Sequence, residues 1–120
     1  MIDSNRKSSG GKKMPVYNKL VRDLIPQVIE KSGSKFTTRI LDSSEHLTEI
    51  KNKLSEEVKE FQETMNRQDA LEELADILEL IHAALPIHEA TFEELEKIRL
   101  AKKQKRGGFM EGIYLIKVDE

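Results

Sequence analysis

SEEVKEFQETMNRQDALEELADILELIHAAL (residues 55–85) is the stretch that decides the fold. Its first part continues a pattern that begins upstream. Leu47, Ile50, Leu54, Val58, Phe61 and Met65 recur at steps of three and four, which is one narrow face of an α-helix. The spacing predicts a helix over 43–66, with Asp42 and Glu45 placed as a capping box. The second part predicts a helix over 70–85 that ends before Pro86. Its apolar residues, among them Leu71, Leu74, Ile77, Leu78, Leu80 and Ile81, cover more than half the circumference. A helix that apolar is buried on several sides, by its own bundle or by another subunit. The short links near 66–69 and 86–91 favour antiparallel neighbours.

Outward from this stretch, a third helix is predicted over 92–105, with Thr91 and Glu94 as a second capping box and Gly107-Gly108 as its stop. A short helix is expected over 26–31, opened by Pro26 and closed by Gly33. Two segments, KFTTRIL (35–41) and IYLIKV (113–118), are rich in β-branched and apolar residues and are expected to pair as a minor sheet near the C-terminus. The fold class is therefore mainly α, an antiparallel helical bundle with a short β pairing. Residues 1–13 have no apolar periodicity and carry Arg6, Lys7, Lys12 and Lys13 against Asp3, as a disordered tail or a cloning remnant would. Residues 14–120 are expected to form one helical domain.

Composition narrows the function classes. In 120 residues, 35% are charged and only 5% aromatic, which suits a charge-coated helical protein. Twenty basic and 22 acidic residues leave a net charge of −2, so binding to nucleic acid through overall charge is not expected. There is no cysteine, which excludes disulfides, thiolate zinc sites and cysteine nucleophiles. No apolar run reaches the ~18 residues of a membrane helix, and the N-terminus lacks the apolar core of a secretory signal, so the expected location is the cytoplasm.

Four carboxylates stand out. Glu57 and Glu60 are three apart and share a helix face, and Glu73 and Asp76 repeat that spacing. Glu73 falls inside the apolar arc of its helix, between Leu80 on one side and Ile77 and Ala84 on the other. A carboxylate buried alone costs several kcal/mol or takes up a proton. A basic partner or a metal ion relieves that cost. Two antiparallel helices would bring both pairs together, and hard oxygen ligands on a rigid frame suit Mg²⁺ or Mn²⁺ with a phosphate ester. Glu56, Glu57 and Glu60, with Lys53 and Lys59, also read as a solvated face with local ion pairs, and the apolar arc around Glu73 as one running along a subunit edge.

Glu57-x-x-Glu60, twelve residues, then Glu73-x-x-Asp76 resembles the ExxE…ExxD signature of the MazG-like all-α nucleoside triphosphate pyrophosphohydrolases. NKLVRDLIP (18–26) and KRGGF (105–109) resemble the flanking segments of the small phosphoribosyl-ATP pyrophosphohydrolase-like subgroup, so the likeness spans about 15–116. Many relatives have glycine before the motif aspartate; this chain has Ala75, small enough for close packing. The resemblance implies a homodimer or a dimer of dimers. It also implies Mg²⁺-dependent cleavage of the α–β phosphoanhydride of a nucleotide substrate, with Glu57, Glu60, Glu73 and Asp76 as metal ligands. Glu57 and Glu60 are both candidates for the general base. The expected function is cleavage of (deoxy)nucleoside triphosphates to monophosphate and pyrophosphate in nucleotide house-cleaning; the alternatives are phosphoribosyl-ATP hydrolysis and a non-catalytic helical interaction module.

Cations for the phosphates are expected at two places. Arg99, Lys102 and Arg106 continue the face of the third helix that Phe92 and Leu95 begin, although a basic last turn also simply offsets the helix dipole. Lys19 and Arg22 are the second group, supported mainly by the resemblance. His82 reads as a core or interface histidine.

Overall fold

The computed structural model describes residues 16–120; the expectations for 1–13 and for a fold starting at residue 14 lie outside the described residues at their N-terminal ends. Four helices follow in order: α1 (Ile25–Lys31), α2 (Ser43–Gln62), α3 (Arg67–Ile87) and α4 (Phe92–Arg106). Both predicted capping boxes form. The Glu45 amide donates to Asp42 at 2.8 Å and the Glu94 amide donates to the Thr91 hydroxyl at 3.1 Å, which satisfies donors that a helix start leaves open. Gly33 and Gly107 take left-handed φ values of 87° and 86° where α1 and α4 stop.

The boundary between α2 and α3 differs from the expectation. The α2 helix closes at Gln62, and Asn66 becomes the cap of α3, its side-chain oxygen accepting from the Asp69 amide at 2.8 Å. A capping side chain outweighs the weak apolar signal of Met65, which is almost fully exposed. At its other end α3 runs through Pro86 into one more residue. His88, Glu89 and Ala90 donate back to the carbonyls of Leu85 and Pro86, closing the last turn without the proline N–H.

The α2 and α3 helices form the packed pair, and no other pair among the described helices makes comparable contact. Their connection is only residues 63–66, and Glu57 and Glu73 meet at similar distances on either side of it, as in an antiparallel hairpin. Ile50 on α2 is fully buried, and Ile25 at the start of α1 is the other buried apolar side chain among the described residues. The N-terminal segment ahead of α1 lies across both helices, because Lys19 pairs with Glu56 on α2 and Arg22 with Asp76 on α3.

The expected β pairing is not formed. Neither 35–41 nor 113–118 is a strand, and Ile40, Ile113, Tyr114 and Ile116 are exposed. Apolar and β-branched composition makes a segment able to join a ladder, but a strand exists only with a partner that satisfies its backbone. Of the core and interface readings of His82, the core one does not hold within one chain. His82 is exposed, and its ring stacks on Phe92 at 4.5 Å, linking the end of α3 to the start of α4.

Candidate metal centre

The α2–α3 hairpin gathers three of the four expected acids. One carboxylate oxygen from each of Glu57, Glu60 and Glu73 lies within 4.8 Å of the other two. Glu57 retains 4% exposure and Glu73 8%, so both are buried polar residues in a chain with little other core. Glu57 Oε1 and Glu73 Oε1 have no hydrogen-bond partner. Buried carboxylate oxygens without partners are costly, and in native proteins they mark a proton or a bound ion.

The surroundings explain which acid keeps its charge. Glu73 is pushed up to about 8, first by burial and then by the neighbouring Glu57, Glu60 and Asp76. Glu60 is raised by burial and by the charges of Glu57 and Glu56. Burial also opposes ionisation at Glu56, but the Lys19 and Lys53 ammonium groups outweigh it and hold that carboxyl below its ordinary range. Lys53 Nζ stands 3.3 Å from Glu56 and 3.7 Å from Glu57. Glu60 and Glu73 have no ion-pair partner among the described residues. The middle of the cluster is therefore an all-oxygen site where crowded carboxyls resist ionising together, a donor set that fits a hard divalent cation such as Mg²⁺ or Mn²⁺.

Asp76 stands at the edge. It is not one of the three converging oxygens, and its Oδ1 accepts from Arg22 Nη2 at 2.6 Å. Lys19, expected near phosphate, donates to Glu56 at 2.8 Å. Arg99 pairs with Glu96 on its own helix, and Lys102 and Arg106 are exposed; among the described residues none of these three is bonded to the acids. Within one chain α4 therefore does not deliver its cations to the cluster. Lys53 and Glu56 are the site residues that sequence reading left on a solvated face. Their signal was the spacing of Lys53 three and four residues before Glu56 and Glu57. Two surface concavities, one between Gly108 and Tyr114 and one between Thr91 and Leu100, include none of the four acids.

No family model, curated protein or solved structure matches the chain. No helix among the described residues is long and apolar enough to cross a membrane.

Proposed function

We propose that the chain is a Mg²⁺-dependent nucleotide pyrophosphohydrolase. It would cleave the α–β phosphoanhydride of (deoxy)nucleoside triphosphates to monophosphate and pyrophosphate, as a cytoplasmic house-cleaning enzyme. The observation that carries this reading is the convergence of Glu57, Glu60 and Glu73 with two buried, unpartnered oxygens. Those three acids, with Asp76 beside them, would hold Mg²⁺ or Mn²⁺. When bound, such an ion offsets the charge of a polyphosphate and acidifies water.

The chain supplies the rest. Glu60 suits the general base better than Glu57, since it is half-buried and raised above its ordinary range by burial and the neighbouring acids, whereas Glu57 forms an ion pair with Lys53. It takes the proton of the water that attacks the α-phosphorus as pyrophosphate leaves. Lys53 and Lys19 hold Glu56 ionised at the flank of the acids.

A homodimer or dimer of dimers belongs to the same proposal. Leu71, Leu74 and Leu78 are half-exposed along α3, and a second copy of this chain would bury that face and present a second α4 with its cations.

The test is pyrophosphate release from a panel of NTPs, dNTPs and phosphoribosyl-ATP, with Mg²⁺ and with EDTA. Wild type and Glu73→Gln are compared after circular dichroism has shown both to be helical. Release from an NTP or dNTP that EDTA and Glu73→Gln both abolish is the expected result. Release from phosphoribosyl-ATP alone would move the substrate to that compound. No release from any of them by a folded wild-type protein would sink the reading.

A further inference from the structure

We propose that Arg22 is an exchangeable counter-ion: its guanidinium holds Asp76 while the acidic site is free of metal, then cedes Asp76 to a divalent cation and turns to a phosphate of the substrate. The inference rests on the reading of the acids as a cation site. It adds that one arginine serves the two states in turn.

Four observations carry it. Arg22 and Asp76 are 54 residues apart in sequence, yet Arg22 Nη2 donates to Asp76 Oδ1 at 2.6 Å. The pair is lopsided in exposure, with the Arg22 side chain 44% exposed and that of Asp76 14%. The guanidinium therefore reaches in from solvent to an acid that is itself largely covered. It also uses one of its five donors on one oxygen, so the pair lacks the two-point grip that locks a structural arginine. Arg22 precedes α1, where its carbonyl accepts from the Ile25 amide at 3.0 Å, so its side chain can swing without unwinding a helix.

The contrast with the lysines sharpens the assignment. Lys19 and Lys53 both sit on Glu56, which is outside the three converging oxygens, and Lys53 is well covered. Lys53 also stands 3.7 Å from Glu57, but from four residues away on the same helix, whereas Arg22 reaches one of the four paired acids from a segment 54 residues away. A guanidinium on that oxygen competes directly with a cation there. Once displaced, it remains one side-chain length from the site, carrying the planar donor set that binds phosphate oxygens. A cation already in place thus frees the group that recognises the polyphosphate, which orders the two binding events.

The experiment uses the full chain, with Mn²⁺ binding followed by electron paramagnetic resonance and inorganic tripolyphosphate binding to the Mn²⁺-loaded protein followed by calorimetry. In Arg22→Gln, Mn²⁺ alone binds about two- to fivefold tighter, the range set by losing a partly exposed ion pair. Tripolyphosphate binds about tenfold weaker, as loss of a charged hydrogen bond predicts. These opposite signs separate the proposal from a merely structural arginine, whose loss weakens both. Arg22→Lys keeps the charge without the fork: Mn²⁺ affinity stays within about twofold of wild type and tripolyphosphate affinity falls. It carries the same reading if Arg22→Gln fails to fold. Unchanged or weaker Mn²⁺ binding in Arg22→Gln, alongside wild-type binding that Glu73→Gln removes, overturns this inference and leaves the acidic site standing. Unchanged tripolyphosphate affinity overturns it too. Absence of Mn²⁺ binding in wild type removes the site and this inference together.

Discussion

Glu73 holds a proton at neutral pH because its carboxyl is buried beside Glu57 and Glu60, and that proton links stability to pH. Its folded-state pKa of about 8 lies above the ordinary 4.5, so the stabilisation is complete below 4.5 and is lost as pH rises through 8. The metal-free protein should lose stability steadily between pH 5 and pH 8.5, seen as a falling Tm. Glu73→Gln, which mimics the protonated acid, should flatten that slope; an equally steep slope in the variant would assign it elsewhere. A second consequence concerns the ion itself. Mg²⁺ binding at pH 7 should release close to one proton, measured as a dependence of calorimetric enthalpy on buffer ionisation heat. Enthalpies independent of buffer would show that the cluster enters the reaction already ionised. At this scale Glu73 was legible in the sequence, since a carboxylate inside an apolar arc is a local pattern. The occupation of Asp76 by Arg22 was not, because nothing local connects two residues 54 apart.

The helices owe their ends to single side chains. Asp42 and Thr91 cap α2 and α4 as the sequence predicts, and Asn66 caps α3 three residues ahead of the predicted start. Asp42→Ala should cost about 1 kcal/mol in urea unfolding, and Asn66→Ala a similar amount. Ser44→Ala, on the exposed face of the same first turn, serves as the control and should stay within about 0.5 kcal/mol. If Asp42→Ala matched that control, the cap would contribute nothing. The segments 35–41 and 113–118 illustrate the opposite case. Their composition suits a strand, but pairing depends on a neighbour at the right distance, which residue type does not encode.

At the scale of the molecule, the chain is extended. Its radius of gyration is 18.5 Å, against about 13 Å for a compact domain of this size, and Ile25 and Ile50 are the only buried apolar side chains among the described residues. Burial on that scale does not offset the entropy of ordering a chain, so the exposed leucines of α3 should be covered by a second copy. Light scattering should give a mass of at least twice 13.8 kDa, and Leu78→Glu should shift it toward the single chain and lower the Tm. A stable wild-type species at 13.8 kDa would overturn this. The helical class, three of the four helix starts to within a residue, and the pairing of acids three apart were set by the sequence alone. Each depends on contacts within one or two turns, where spacing dictates geometry. Tertiary structure alone decided that Glu57, Glu60 and Glu73 converge while Asp76 is taken by Arg22, that Lys19 reaches Glu56, and that the α4 cations stay away from the acids within one chain. Those outcomes depend on how distant segments cross in space, and the energy of a long-range ion pair is written in no local period.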